Sequence, residues 1–366
     1  MKTHCMLLLS AGLLAGCLPE PESRTNLQTV LFVMDNSASM TDEAGALGLN
    51  FTRFVEGLSA HEGLDYQLAI TTPDIQGAAG ALVFTDGVDI IQKPDDNVAN
   101  QFNKSLLCNT ACWDVSHNSM PSDPEYECNA EDPTIPEAVS FEYLDCVCGN
   151  DAWQSGAACA ASGDEEGLEA ALLAMCRAVE DPPPDCFDEI YSPLTDADVG
   201  TNSGLLREGD TLNIVVVSDE GDQSRRLESQ DADPTPYLAL LDQFNVRYRI
   251  AVIGPPYACE TDDEGRETCQ LTCNSGGATT WGTERYQAAA EATGGFFNPI
   301  AEEGSDGMCQ SSDFSEHLDD LTDMVLKALT VLEERDVEEG GRLLPFGFCD
   351  CWVCSSRACS TESRLR

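Results

Sequence analysis

Short runs of β-branched and aromatic residues alternate along this chain with segments of helical periodicity, and this alternation limits the folds available to it. The runs predicted as strands are residues 30–34, 66–70, 81–84, 213–217, 248–253 and 295–297. The segments predicted as helices are residues 42–59, 164–179, 237–244, 284–292 and 313–332. Apolar strands between helices are typical of a parallel sheet covered on both faces. The pattern therefore predicts an α/β fold, with a doubly wound, mostly parallel sheet and helices on both faces.

Two cysteine-containing segments interrupt the alternation. Residues 92–161 hold six cysteines and two tryptophans with little periodicity, which predicts a disulfide-rich insertion. Residues 258–283 form a shorter cysteine-containing loop. Both lie within the main domain, which we predict over residues 28–334, and both leave its strand and helix pattern intact.

The C-terminal tail, residues 335–366, differs in composition from the main domain. It carries four cysteines: Cys349, Cys351, Cys354 and Cys359. In an exported chain these favour disulfides, although a zinc site is an alternative for four cysteines. A non-native tail that arises from a reading-frame error is a second alternative.

The N-terminus has the pattern of a targeting segment. Lys2 precedes an apolar run that is too short to span a bilayer, and residues 14–17 (Leu-Ala-Gly-Cys) end it. These four residues resemble the lipobox of bacterial lipoproteins, in which the cysteine is lipidated. The resemblance implies a signal peptide over residues 1–16 and a lipidated Cys17 that begins a tether over residues 17–27. An ordinary secretion signal is the alternative.

The lipobox resemblance also implies a location. No later segment is apolar enough to cross a membrane, so the lipid would be the only membrane attachment. We expect the protein at the cell envelope, with the outer membrane or the cell surface favoured over the inner membrane.

The cysteine count agrees with export. With Cys5 in the signal and Cys17 assigned to lipid, 16 of the 18 cysteines remain. An even number in an exported chain predicts disulfides formed in an oxidising compartment. We expect the cysteines from Cys108 to Cys159 to pair mostly among themselves.

The net charge restricts the partners. Asp and Glu total 65 against 19 Lys and Arg, which gives a formal net charge of -46. Such a surface repels nucleic acid and anionic lipid head groups, and it attracts cations. We therefore expect no nucleic-acid partner, and we expect most of the carboxylates to serve solubility.

Two predicted strands each deliver a carboxylate at their carboxyl end. Residues 30–34 run into Asp35-Asn-Ser37-Ala-Ser39, and residues 213–217 run into Ser-Asp219. Carboxylate and hydroxyl oxygens are hard ligands that suit Mg²⁺, Ca²⁺ or Mn²⁺. An Asp-x-Ser-x-Ser loop alone also fits a helix N-cap. Two ionised carboxylates brought together at one sheet edge favour a divalent cation there.

These residues carry a resemblance to the von Willebrand factor A family, over most of residues 29–332. Asp35, Ser37 and Ser39 are similar to the family's metal-ion-dependent adhesion motif. Asp219 is similar to the Asp that closes the metal shell, usually through water. In the family, the metal keeps an open position that an Asp or Glu of the partner completes.

The chain departs from the family at one ligand. The family has a Thr before the helix that here begins near Asp164, and this stretch lacks one. Ser162 replaces it by side-chain type and Glu165 by position, so both are candidate ligands. The stretch that begins at Ser162 resembles a subgroup of bacterial A-type lipoproteins with Glu in this loop. A Glu on the metal would lower its charge and weaken its pull on a carboxylate of a partner.

The resemblance implies a non-enzymatic function, which is cation-dependent binding of a protein or glycan that offers an acidic group. The alternatives are a metal-dependent hydrolase of envelope polymers and a metal-free scaffold that binds through its insertion. The chain has no nucleophile elbow, zinc-protease motif or phosphate-binding loop, so we expect no enzyme. For the loop after the predicted strand at residues 213–217 there are two alternatives. One is a second cation site at Asp219, Glu220, Asp222 and Ser224, and the other is a solvated acidic loop.

The lipobox resemblance predicts that the native protein is acylated at Cys17. Cys17→Ala should abolish stable membrane attachment, because the acyl group would be the only anchor. Membrane fractionation measures the attachment, and mass spectrometry of the N-terminus measures the acylation. An unmodified N-terminus downstream of Cys17 in the native protein would refute the prediction.

Overall fold

The computed structural model describes residues 26–83, 87–93, 97–111, 121–129, 136, 138–149, 165–227, 232–261, 267–273, 282–303 and 309–340. The predicted signal peptide, Cys17, Ser162 and the tail beyond Gly340 lie outside these residues. By its internal contacts the chain divides into Met1–Leu326 and Lys327–Arg366. The fold described below belongs to the first unit.

The secondary structure alternates between strands and helices. The strands are β1 (Asn26–Met34), β2 (Leu64–Thr71), β3 (Ile90–Gln92), β4 (Thr211–Val217), β5 (Arg247–Gly254), β6 (Tyr257–Thr261), β7 (Glu267–Leu271), β8 (Phe297–Pro299), β9 (Ala301–Glu303) and β10 (Cys309–Ser311). The helices are α1 (Thr41–Ser59), α2 (Val98–Asn109), α3 (Phe141–Cys148), α4 (Gly167–Ala178), α5 (Thr235–Leu241), α6 (Thr283–Thr293) and α7 (Phe314–Gly340).

Six of the strands form one sheet, in the order β3-β2-β1-β4-β5-β8. All pairs are parallel except the pair of β2 with the edge strand β3. The chain thus starts in the middle of the sheet and builds outward in both directions. The prediction of a doubly wound, mostly parallel α/β sheet is confirmed.

Helices cover both faces of this sheet. Leu31 and Val33 of β1 point to one face, where they join a buried core with side chains from α4, α5 and α6. Phe32 points to the opposite face because side chains alternate along a strand. There it contacts Phe51 and Phe54 of α1, with ring centroids 5.8 and 6.2 Å away. The uniformly apolar strand sequences reflect this burial from both sides.

The predicted strand at residues 81–84 is wrong for the described residues 81–83. They follow β2 through only two hydrogen bonds, from Thr71 Oγ1 to the Ala81 carbonyl and from the Val83 N–H to the Ile70 carbonyl. Just before them the chain turns at Gly80, whose φ is +73° and where a Cβ would lie 2.4 Å from the Ala174 backbone nitrogen. The close approach to α4 fixes the turn, and the edge strand forms later, as β3.

The predicted insertion has more regular structure than its sequence pattern indicates. It contains α2 and α3, and Phe102 of α2 is fully buried. Its ring stacks on Phe51, 3.4 Å between centroids, and meets Phe32 edge-on at 4.9 Å. Part of the segment that the sequence sets apart as an insertion is therefore a core helix of the domain.

Two disulfides join described parts of this segment, as the cysteine count predicts. Cys108 at the end of α2 bonds to Cys148 of α3, and Cys128 bonds to Cys146. A third disulfide, Cys176–Cys186, lies outside the segment and ties the end of α4 to the turn that follows it. The other two cysteines of the segment, Cys112 and Cys159, lie outside the described residues.

The second cysteine-containing segment also has regular structure, since β6 and β7 pair as an antiparallel hairpin. In the register of this hairpin Cys259 lies opposite Cys269. None of the helices in the described ranges is long and apolar enough to cross a membrane.

The core position of Phe102 yields a stability prediction. Phe102→Ala should lower the free energy of unfolding by about 3–5 kcal/mol, since it leaves a cavity between α1, α2 and the sheet. Phe244→Ala, the same change at a partly buried position, should cost clearly less. Chemical denaturation measures both variants, and equal costs would show that α2 is not part of the core.

Candidate functional site

Two buried carboxylates meet at the carboxyl edge of the sheet, as the sequence predicts. Asp35 follows β1 and Asp219 follows β4, which are neighbouring parallel strands. The Asp35 N–H extends the pairing by donating to the Val217 carbonyl at 3.0 Å. Each of the two Asp residues is only 1% exposed. The sheet therefore holds both carboxylates side by side and away from water.

Short hydrogen bonds fix the orientation of Asp35. Its Oδ1 accepts from the Ser37 N–H at 2.7 Å, and its Oδ2 accepts from Ser218 Oγ at 2.7 Å. Ser218 Oγ also accepts from the Glu220 N–H at 3.0 Å. The carboxylate is thus tied to its own loop and to the loop after β4.

Two serine hydroxyls bridge the carboxylates. Ser37 Oγ and Ser39 Oγ lie 2.9 Å apart, and Ser39 Oγ donates to Asp219 Oδ1 at 3.3 Å. Asp219 Oδ2 is buried and has no hydrogen-bond partner. Asp35, Ser37, Ser39 and Asp219 therefore form one group of oxygen atoms, and one buried carboxylate oxygen in it is unsatisfied.

Glu165 belongs to the same group. It lies just before α4, is 1% exposed, and its carbonyl accepts from the Gln223 N–H at 2.7 Å. Its side chain interacts with the Asp35 carboxyl group, and its Oε2 is buried without a partner. Of the two candidates for the missing Thr ligand, the structure places Glu165 at the site. Ser162 lies outside the described residues.

The crowded carboxyl groups hold their protons more tightly than usual. Burial, followed by repulsion from Asp35, raises the pKa of Glu165 to about 10 and that of Asp219 to about 6. Burial, with repulsion from Asp219 and Asp35, raises the pKa of Glu220 to about 7. Burial also raises the pKa of Asp35 itself, against its hydrogen bonds to the two loops. A cation among these groups would remove the repulsion.

Glu43, which the sequence analysis missed, borders the site. It lies in the first turn of α1, is 5% exposed, and accepts from Ser311 Oγ at 3.1 Å. Burial, helped by the charges of Asp219 and Asp42, raises its pKa to about 7. It follows Ser39 by four residues, in the first turn of the helix that comes directly after the Asp-x-Ser-x-Ser loop, and this proximity was available in the sequence.

Asp222 and Ser224 do not belong to the site. For these two residues, the second cation site and the solvated acidic loop are both wrong. Asp222 is fully buried and its Oδ2 lies 2.7 Å from Arg285 Nη1, itself fully buried. Its Oδ1 accepts from the Leu168 N–H, and Ser224 Oγ accepts from the Glu169 N–H, both at 3.1 Å. They satisfy the free amides at the start of α4, because no residue before this helix caps it.

The loop after β4 makes two more ion pairs with α4 and the residue before it. Arg225 Nε lies 2.7 Å from Glu166 Oε1, and Arg226 Nε lies 2.7 Å from Glu169 Oε2. With the pair of Arg285 and Asp222, each of these three arginines therefore binds an acid outside the site.

We call the five acids at the sheet edge the acidic cluster; it comprises Asp35, Glu43, Glu165, Asp219 and Glu220. Among the residues that the structure describes, no Lys, Arg or His forms an ion pair with a member of the cluster. Within the same residues, no three His, Cys, Asp or Glu side chains converge closely enough to hold an ion by themselves. A cation here would therefore need the serine hydroxyls as well.

Comparison with known proteins gives little further help. No protein-family model matches the chain, and no curated protein matches it. Matching solved structures include the conserved hypothetical protein BatB from Bacteroides thetaiotaomicron, which is 11% identical, with 83% of this chain and 99% of that chain covered and a TM-score of 0.35. Another is an aerotolerance-related membrane protein from Bacteroides fragilis NCTC 9343 with multiple mutations to serines, at 11% identity, 82% and 99% coverage and a TM-score of 0.32. At these scores neither likeness carries an argument.

The raised pKa values predict how stability depends on pH in a chelator. A carboxyl group whose pKa is higher in the folded state stabilises the fold below its unfolded pKa, near about 4. That contribution is lost as the pH rises through the folded pKa values of about 6 and about 7. Without divalent cations, the melting temperature should therefore fall from about pH 5 to about pH 8.

Asp219→Asn should flatten this fall, because it removes one charge from the cluster. Asp196→Asn is the matched control, since Asp196 is an exposed loop residue after α4. Thermal melts of the wild-type protein and the two variants across this pH range measure how the melting temperature changes with pH. The prediction fails if Asp219→Asn and Asp196→Asn give the same slope.

Proposed function

We propose that this chain binds Mg²⁺, Ca²⁺ or Mn²⁺ through Asp35, Ser37, Ser39, Asp219 and Glu165, and binds a protein or glycan partner through that cation. One observation carries the proposal. Two carboxylates, each 1% exposed, lie at the ends of adjacent strands, and serine hydroxyls join them next to a buried, unpartnered oxygen of Asp219.

The energetics of burial support a cation. A buried polar atom without a partner costs about 1–3 kcal/mol, and more if it is charged. Asp219 Oδ2 and Glu165 Oε2 are two such atoms in one place. A hard divalent cation would satisfy both and offset the repulsion between the carboxylates. The donor set contains only oxygen atoms, which suits these three metals rather than zinc or copper.

The exposure of the ligand groups supports binding of a partner. Asp35 and Asp219 are buried, whereas Ser37 is half-buried and Ser39 is exposed. A cation held at the buried end of this group would be approached from the serine side. An oxygen atom of the partner would complete the coordination shell of the cation there. Such a contact binds the partner without breaking a bond in it.

The orientation of β1 fits a lipid-anchored protein. The proposed tether leads into β1 at Asn26, whereas Asp35 follows the other end of the same strand. At about 3.3 Å per residue, the nine residues of β1 separate the two ends by about 30 Å. With Cys17 acylated at the cell envelope, the site would lie at the end of the sheet away from the tether.

The proposal predicts that divalent cations stabilise the protein. Saturating Mg²⁺ or Ca²⁺ should raise the melting temperature, because a ligand at a hundredfold excess over its dissociation constant adds about 2.7 kcal/mol. Asp35→Asn should remove the metal-specific part of this shift while keeping the shape of the side chain. Differential scanning calorimetry in chelator and in each divalent salt measures the shift.

Two controls isolate the site from general screening of a chain with net charge -46. Na⁺ at matched ionic strength corrects for the screening, and Asp196→Asn removes one acidic charge outside the site. If the wild-type protein and Asp35→Asn respond equally to divalent cations, there is no such site and the proposed function is wrong.

A further inference from the structure

We propose that the partner at the cation site is a basic protein segment, which brings a neutral oxygen to the cation and a lysine or arginine to the carboxylates around it. This inference rests on the proposed function and specifies the chemistry of its partner. The family resemblance implies a partner carboxylate instead, so the two alternatives predict opposite charge preferences.

The site carries more negative charge than one divalent cation balances. Asp35 and Asp219 are sufficient to balance one divalent cation. Glu165 reaches Asp35 with its side chain, Glu220 interacts electrostatically with Asp35 and Asp219, and Glu43 does so with Asp219. One divalent cation among the five carboxyl groups leaves a formal charge of -3 when all are ionised, and of -2 when Glu165, whose pKa is raised to about 10, keeps its proton. A loaded site of this kind repels a further carboxylate.

Positive side chains of the described residues do not offset this excess. The nearby arginines each bind a carboxylate outside the acidic cluster: Arg225 binds Glu166, Arg226 binds Glu169 and Arg285 binds Asp222. All three pairs have an N–O distance of 2.7 Å. The positive charge that compensates the cluster must therefore come from outside the described part of the chain, and a partner can supply it.

The accessible groups indicate how such a partner would fit. Glu220 is half-buried at the mouth of the site, and Gln223 Nε2 holds its Oε2 at 2.7 Å. Asp42 is exposed in the first turn of α1. A backbone carbonyl or a hydroxyl of the partner would approach the cation past Ser39. A neighbouring ammonium or guanidinium group of the partner would then meet Glu220 or Asp42.

The whole surface favours the same kind of partner. With a net charge of -46, the protein attracts basic molecules over long range and repels acidic ones. Complementary charge raises association rates and selects against like-charged partners. The local charge of the site and the field of the whole protein therefore act in the same direction.

The test compares two synthetic peptides at saturating Ca²⁺ and fixed ionic strength. Both have the same length and alternate Gly and Ser, one with Lys and the other with Asp at every third position. Affinities are measured for the full chain by fluorescence anisotropy. We expect the wild-type protein to bind the basic peptide at least tenfold more tightly than the acidic one.

Glu220→Gln separates the site from the general surface charge. It keeps the hydrogen bond with Gln223 within reach, and it should reduce the basic-to-acidic preference at least threefold. Asp196→Asn removes the same charge from an exposed loop outside the site, and it should leave the preference nearly unchanged. The inference is overturned if the wild-type protein prefers the acidic peptide, or if the two variants change the preference equally.

Failure of the proposed function would look different. The Ca²⁺-induced rise in melting temperature is measured on the same samples. Absence of that rise refutes the cation site itself, whereas a normal rise together with tight, Asp35-dependent binding of the acidic peptide refutes only the basic partner.

Discussion

The ion pair of Asp222 with Arg285 is the contact on which the geometry of the site depends. Both side chains are fully buried, and the pair joins the loop after β4 to α6. Gly282, just before α6, has a φ of +80°, and a Cβ there would lie 2.0 Å from the Asp222 carbonyl oxygen. A buried pair adds little net stability against an apolar replacement, but the loss of one partner is strongly destabilising. Its contribution here is therefore the position of the loop.

This loop also contacts two other parts of the site. Asp222 and Ser224 fix the start of α4, and with it Glu165 just before the helix. Ser218, in the same loop, donates to Asp35 and so connects the loops after β1 and β4. Burial, and after it mutual repulsion, raises the pKa values in the acidic cluster, so the ionised form of the cluster is unfavourable. The cluster persists because the surrounding bonds hold the backbone against that repulsion.

The sequence predicts those parts of the site that depend on local pattern. Apolar strands that end in carboxylates place Asp35 and Asp219, since parallel strands deliver their carboxyl ends to one edge. The pair of Asp222 with Arg285 joins residues 63 positions apart in the sequence, and periodicity carries no information on such contacts. The same limit applies to Phe102. Its helix lies among cysteines and polar residues, and its burial and its stacking on Phe51 show that it belongs to the core.

The charged side chains in and around the site fall into two groups. One group, around the start of α4, is neutral because arginines pair with Glu166, Glu169 and Asp222. The other group, the acidic cluster with Ser37 and Ser39, contains carboxylates and hydroxyls, and ion pairs to it are absent among the described residues. Near the site, the positive charges of the described residues therefore pair with the acids around the start of α4 and leave the acidic cluster uncompensated. Such an arrangement stores repulsion at the sheet edge, and a cation together with a basic partner would relieve it.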